Sequence, residues 1–372
     1  MIRTADVVVV GGGVIGCAVA RALGRRGARV VVLERGRVGA EATSAAAGMV
    51  APQAECERPG PVLRLALASR AGWPAWAAAV EEESGIDVEF RTDGIVYAIL
   101  GAADARVLGA RARWQRAAGL RVERLDGRAA RRLVPALARV ARAALFFPDD
   151  HRVNNERLAA AVARAAVRAG ARVVEGVEVR AVRARRGRVV GVATARGEVA
   201  TPAVVIAAGA WAAALALPPG VVAPPVFPVR GQMIVLRGAP GALPRPVYSL
   251  RGYAVPRADG RVLAGSTLER VGFEKRVTAG AAAAILDAVC ALVPALGALT
   301  VERVYAGLRP GTPDHRPVLG RDARCPGLVW ATGHYRSGIL LAPVTGDAIA
   351  DLVTAGRTAL PLRGMEPGRF AR

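Results

Sequence analysis

The first patterned stretch of the chain, Ala5 to Val10, is apolar and β-branched with no polar face, which predicts a short strand buried on both sides. It runs straight into Gly11-Gly12-Gly13-Val14-Ile15-Gly16. From Cys17 to Arg26 the composition turns to Ala, Leu and Arg, a helical signature that Gly27 closes. Ala28 to Leu33 is a second β-branched run, ending at Glu34. Strand, glycine loop, helix and strand in this order form a βαβ unit with the G-x-G-x-x-G fingerprint of dinucleotide binding. Gly11 permits the tight turn, Gly13 lets a pyrophosphate approach the backbone, and Gly16 lets helix and strand pack closely. The helix N-terminus adds positive potential for phosphate. Glu34 is placed to accept hydrogen bonds from a ribose hydroxyl pair, and its charge disfavours a 2′-phosphate.

Beyond this unit the patterning alternates. Gly36 to Val50 is a run of small residues that either brings backbone close to a flat ligand, with Thr43 and Ser44 offering hydroxyls to phosphate, or is an ordinary loop followed by a small-residue helix. Pro52 to Phe90 is helical in pattern, with Leu63, Leu67, Trp73, Trp76 and Val80 on one stripe; the tryptophans are expected in the core. Strands are expected between Phe90 and Leu100, at Ala143 to Phe147, Ala171 to Val182, Arg188 to Ala195, and Ala203 to about Gly209. Helices are expected at Ala102 to Ala118 and Asn154 to Ala169. Prolines between Pro218 and Gly241 mark a crossing into another domain, followed by strands at Arg230 to Leu236, Gly252 to Pro256 and Arg261 to Ser266. A helix at Ala279 to Leu292, strands at Val301 to Leu308 and Leu328 to Ala331, and a helix at Gly338 to Val353 complete the series.

Composition narrows the class. A chain of 372 residues with 53% hydrophobic residues can bury a large core and form two domains. No uncharged apolar stretch reaches the roughly 18 to 20 residues needed to span a bilayer, so no membrane partner is expected. The first strand begins so near Met1 that no secretory leader is expected, and the chain reads as cytoplasmic. Cys17, Cys56, Cys290 and Cys325 have no C-x-x-C spacing and read as reduced thiols, with neither zinc nor a disulfide framework. The net charge of +22 raises a nucleic-acid partner, but the arginines are spread along the chain and Lys275 is the only lysine, a pattern of codon usage. No nucleic-acid function is expected.

Three further places carry chemistry. Pro148-Asp149-Asp150-His151 has metal-ligand residue types but no second histidine beside it, and reads as a polar loop; no metal is expected. Arg309, after a strand and before Pro310, has the planar fork that clamps a carboxylate. Gly333 and Gly338 bracket a loop that ends at a helix N-terminus, a place for an electron-rich ligand edge.

The fingerprint, Thr43-Ser44-Ala45-Ala46-Ala47-Gly48-Met49, Ala54-Glu55-Cys56-Glu57, Gly307-Leu308-Arg309-Pro310-Gly311-Thr312 and Gly333-His334-Tyr335-Arg336-Ser337-Gly338-Ile339-Leu340-Leu341-Ala342-Pro343 together resemble the glycine oxidase family of thiamine biosynthesis, within the FAD-dependent D-amino acid oxidase superfamily. The resemblance covers nearly the whole chain. It implies an α/β protein: a glutathione-reductase-like, Rossmann-type FAD domain (1–50, 148–220 and 300–372) and a substrate domain built on a large antiparallel sheet (51–147 and 221–299). By position it puts the carboxylate clamp on Arg309, a substrate-holding hydroxyl on Tyr253, and a second active-site arginine at Arg336. It puts FAD contacts at Gly11, Gly13, Val14, Ile15, Gly16, Glu34, Arg35, Ala42, Thr43, Ala47, Gly48, Met49, Val179, Gly209, and the loop His334, Tyr335, Arg336, Ser337, Gly338, Ile339 and Leu340. The FAD is expected to be non-covalent, because the stretch matching the flavin-tethering cysteine of the related sarcosine oxidases, Ala306 to Thr312, contains none. Two departures, Arg251 in place of a histidine and Leu268 in place of a methionine, touch substrate range. The implied reaction is transfer of hydride from Cα of glycine, or of a small D- or N-methyl amino acid, to FAD. Molecular oxygen then reoxidises the flavin to give hydrogen peroxide. The imine either supplies thiazole synthesis or hydrolyses to glyoxylate and ammonia. A D-amino acid dehydrogenase and a sarcosine-type oxidase are the alternatives, and a homotetramer is implied.

Overall fold

The computed structural model describes residues 3–370. The βαβ unit forms as the pattern predicts: β1 (Val7–Val10), α1 (Val14–Gly24) and β2 (Val30–Leu33). Every residue of both strands is buried, which is why neither carries a polar face. They lie in a six-stranded sheet ordered Val318–Arg321, Leu328–Thr332, Ala203–Ile206, β1, β2, Arg172–Val174, parallel throughout except for the first strand. The switch from β2 on one side of β1 to Ala203–Ile206 on the other opens the crevice at the carboxyl ends of the strands, where ligands of such sheets bind.

One face of this sheet is covered by α1 with the helices Asn155–Arg168, Gly338–Thr354 and Pro61–Ser84, which share one apolar cluster including Leu23, Val162, Leu341 and Trp73. Trp73 is fully buried and its indole N–H donates to the Leu340 carbonyl at 2.8 Å, so it is a core residue as expected. The other face carries a three-stranded sheet, Val179–Arg185, Arg188–Thr194 and Gly197–Ala200, whose Val182 and Val192 pack with Val8 and Ile206.

The second large sheet has eight strands in the order Thr300–Gly311, Phe227–Arg237, Arg261–Gly265, Tyr253–Pro256, Val247–Tyr248, Ile95–Ile99, Ala143–Phe147, Glu123–Asp126. All neighbours are antiparallel except Val247–Tyr248 with Ile95–Ile99. Helix Ala279–Leu292, capped by the Thr278 hydroxyl on the Ala281 amide, packs on this sheet through Ile285, Val289 and Leu292.

Several expectations shift. The run Ala171 to Val182 is two strands, Arg172–Val174 and Val179–Arg185, broken near Gly176, because the chain leaves the parallel sheet there and enters the three-stranded one. Residues 36–47 form turns with no α-helix. They are held instead by the Asn155 amide, which donates to the Thr43 and Ser44 carbonyls. The strand starting at Thr300 pairs with Phe227–Arg237 over its length, so the chain changes sheets after Gly311 and not at 300. Likewise helix Pro61–Ser84 lies in the layer that covers the parallel sheet, beyond the boundary expected at 51. The expected polar loop at 148–150 forms, and within it Asp150 is fully buried and accepts from the Gln53 and Ala54 amides and from Arg70.

Candidate functional site

A cavity of about 420 Å³ runs from the crevice of the parallel sheet to the face of the antiparallel one. At its inner wall Gly11 turns at φ +105°, and a Cβ there would lie 2.6 Å from the Ala207 carbonyl oxygen. Gly16 does not line the cavity; it packs against the Gly11 carbonyl, where a Cβ would come within 1.9 Å. Gly13 caps α1 without a side chain, and the Val14 amide is satisfied by the Thr43 hydroxyl at 3.1 Å. The helix N-terminus thus opens onto the cavity with backbone N–H groups and one exchangeable hydroxyl, a cradle for phosphate.

Glu34 sits at the rim. One carboxylate oxygen accepts from the Gly12 amide at 2.7 Å and the other from the Gly36 amide at 2.8 Å, which fixes the carboxylate while leaving lone pairs for a ribose. Arg35 lies over the Trp211 ring, 3.8 Å from its centroid, and pairs with Glu41. Together with Ile15, Ala42, Ala47, Gly48, Met49, Val179 and Gly209 these residues line the cavity. Burial pushes the Cys17 thiol up to about 12, with Glu34 adding to it, so the cysteine beside the loop stays protonated.

The loop 334–339 closes the far end. His334, Tyr335, Arg336, Gly338 and Ile339 line the cavity, while Ser337 and Leu340 do not. Ser337 is the cap of helix Gly338–Thr354, and Leu340 points its carbonyl at Ser69 and Trp73 in the core. His334 is buried, bonded to the Thr345 hydroxyl at 3.1 Å, and burial pushes its pKa down to about 3. It is a neutral imidazole.

Arg309 and Tyr253, both half-buried, line the same cavity from the antiparallel sheet. The Arg309 guanidinium lies across Gly231, where a Cβ would come within 1.9 Å of Nη1, and it donates to the Thr267 carbonyl at 3.1 Å and the Ser266 hydroxyl at 2.9 Å. Tyr253 stacks on Tyr248, centroids 5.0 Å apart, and among the described residues its hydroxyl has only the Met233 sulfur, at 3.4 Å, as a partner.

Sequence reasoning gave no role to the group that joins these parts. Glu55 accepts from the Tyr248 hydroxyl at 2.8 Å with one oxygen and pairs with Arg336 at 2.5 Å with the other. The Glu55 charge raises the Arg336 pKa further, and burial foremost, with the Glu55 charge, raises that of Tyr248. Glu55, Tyr248, Tyr253, Ser266 and Arg336 line both this cavity and a second one of about 660 Å³. Arg251 and Leu268 line only the second; Arg251 is exposed and paired with Asp287, and Leu268 is 54% exposed. Nothing in the local sequence pattern of Tyr248 or Trp211 separates them from ordinary strand and loop aromatics.

The chain is similar to known flavoproteins along most of its length. The DAO family, FAD dependent oxidoreductase, matches residues 6–352. Glycine oxidase of Geobacillus kaustophilus is 39% identical over 360 residues, covering 96% of this chain and 95% of that protein. The bifunctional protein ThiO/ThiG of Synechocystis sp. is 37% identical over 376 residues, and this chain spans only 55% of its length. The crystal structure of glycine oxidase from Geobacillus kaustophilus superposes with a TM-score of 0.94 at 37% identity, over 99% of each chain. The cradle at α1, the acid at the tip of β2 and the small-residue loop between them fit an adenine dinucleotide, and the chain belongs to the DAO family of FAD-dependent oxidoreductases, with FAD as its cofactor.

Proposed function

We propose that this enzyme oxidises glycine and other small amino acids at the carbon–nitrogen bond, giving the imine, then the oxo acid and ammonia, with hydrogen peroxide formed from molecular oxygen. The observation that carries this reading is the pair Arg309 and Tyr253, which line the same cavity as the loop 334–339. In this reading the parallel sheet with its helices is the cofactor-binding part and the eight-stranded sheet is the substrate-binding part.

Bound FAD supplies the two-electron acceptor for the substrate Cα and passes the electrons on to oxygen. The protein residues do the positioning. Arg309 retains N–H groups beyond the two it gives to Thr267 and Ser266, and these bind the substrate carboxylate. Tyr253, whose hydroxyl is held only by a weak sulfur acceptor, turns to donate to the same carboxylate. No protein base is required at Cα if the amine enters neutral, and the site suits this. Both Glu55 oxygens are engaged, and His334 is a neutral imidazole bonded to Thr345. Gly338, at the N-terminus of its helix, brings positive potential to the cavity wall, where negative charge develops in the reaction.

The test is anaerobic addition of glycine, sarcosine or D-alanine to the purified holoprotein while the oxidised flavin absorbance is followed. Bleaching that air reverses with release of peroxide supports the oxidase. Bleaching reversed only by an artificial acceptor makes the enzyme a dehydrogenase, and no bleaching by any amino acid overturns the reading.

A further inference from the structure

The acceptors that hold Arg309 lie on an irregular segment between strand Arg261–Gly265 and the helix that starts at Ala279. The pairing of this segment with its neighbour is unusual. Met233 pairs with Gly265, and the next bridge joins Arg230 to Glu269. Between them stand Gly231 and Gln232 on one strand but Ser266, Thr267 and Leu268 on the other. That mismatch is a β-bulge, which turns the Thr267 carbonyl off the ladder and toward Arg309 across the bare face of Gly231.

A bulge by itself leaves backbone unpaired and free to shift, and here the shift would move the clamp. Glu269 prevents it. Its carboxylate accepts from Arg230 Nε at 2.9 Å and Nη2 at 3.0 Å, from Gln232 Nε2 at 2.8 Å and from the Thr267 hydroxyl at 2.8 Å. Its backbone exchanges two hydrogen bonds with Arg230. The anchors are rigid: Arg230 is 5% exposed and Gln232 fully buried, both on the long strand Phe227–Arg237. The Thr267 hydroxyl also takes the Gln232 amide, so its side chain ties the bulge to the strand while its carbonyl holds the clamp. Arg230 reaches beyond the bulge as well, donating to the Arg276 carbonyl.

We propose that Glu269, pinned by Arg230 and Gln232, is the positioning residue for the substrate-carboxylate clamp: it locks the Ser266–Leu268 bulge whose carbonyl and hydroxyl aim the Arg309 fork. The proposal rests on the reading of Arg309 as that clamp. A long guanidinium side chain is flexible when free, and a bidentate contact gains from an arrangement made before the ligand arrives. Glu269 lines neither cavity; its effect passes through Thr267.

The test uses the FAD-loaded protein with acetate as a plain carboxylate probe, its binding read from the perturbed absorbance of the bound flavin. Glu269→Gln is expected to weaken acetate and to raise the KM for glycine about tenfold while kcat stays within about twofold. Flavin content is expected to be unchanged. Thr267→Val, which keeps the carbonyl but removes the hydroxyl link, is expected to move both constants in the same direction by a smaller factor, and it guards against misfolding of the charge variant. Glu269→Asp restores the charge and is expected to recover part of the loss. If Arg309→Ala weakens acetate strongly while Glu269→Gln and Thr267→Val leave it unchanged, the positioning role is wrong. If Arg309→Ala has no effect either, the clamp itself is misassigned.

Discussion

Arg336 and Glu55 meet at 2.5 Å in the wall shared by the two cavities, and the second Glu55 oxygen takes the Tyr248 hydroxyl. The Arg336 guanidinium is therefore paired before any ligand arrives, which in the proposed reading leaves the substrate carboxylate to Arg309. Glu55→Gln keeps the shape of the contact and removes the charge, freeing the Arg336 guanidinium. The expected outcome is a change of selectivity toward amino acids with a second carboxylate. The ratio of kcat/KM for D-aspartate over D-alanine should rise by about tenfold, or ~1.4 kcal/mol. An unchanged ratio would mean that Arg336 stays shielded by other groups.

Removing the Arg309 fork has a larger and more general effect. Arg309→Ala should raise the KM for every amino acid substrate by about two orders of magnitude, the scale on which a desolvated charge pair loses one partner. Gly231→Ala tests the same contact from below. Its Cβ would fall 1.9 Å from Nη1, so the guanidinium must move, and KM should rise with the flavin still bound. Steady-state kinetics with measured flavin content separate the two effects.

FAD should stabilise the fold as well as serve the chemistry, since the cavity proposed to hold it is lined by β1, α1, the 36–47 turns and the 334–339 loop. Flavin at about a hundredfold over its Kd adds ~2.7 kcal/mol to the folded state. Stripping it should lower the unfolding temperature by several degrees, and readdition should restore it. A calorimetric scan of the apo and reconstituted protein measures this; identical transitions would show that the cradle does not bind flavin when folded.

His334 makes a pH prediction with a definite sign. Burial depresses its pKa from the ordinary 6.5 to about 3, so between these values the unfolded chain binds a proton that the folded one refuses. Its contribution is present above pH 6.5 and is lost as the pH falls toward 3. His334→Gln keeps a hydrogen bond to Thr345 within reach and removes the titration. Urea unfolding at a series of pH values should show a flatter acid limb for the variant than for the wild type.

The cofactor half of the site was legible because its chemistry is local. The glycines, the helix start and Glu34 are close in sequence, and a βαβ unit has only one way to bring them together. The break at Gly176 was not legible. A continuous alternating run gives the same signal whether it stays in one sheet or is shared between two, and only the neighbours decide. The burial of Asp150 within its polar loop was not legible for a related reason. Two aspartates beside a proline mark a polar loop without saying which of them is buried; the amides of Gln53 and Ala54 and the Arg70 side chain arrive from a distant segment and bury Asp150.

The sequence by itself determined the strand and helix types, the dinucleotide fingerprint, and, through resemblance, the identity of Arg309 and Tyr253 as residues of interest. Tertiary structure alone decided that Glu55 closes on Arg336, that Trp211 underlies Arg35, and that Glu269 braces the bulge beneath Arg309. The partners in these contacts are far apart in the chain or displaced from regular register. Hydrophobic period specifies which face of an element is buried, but not which polar side chain from another element meets it there.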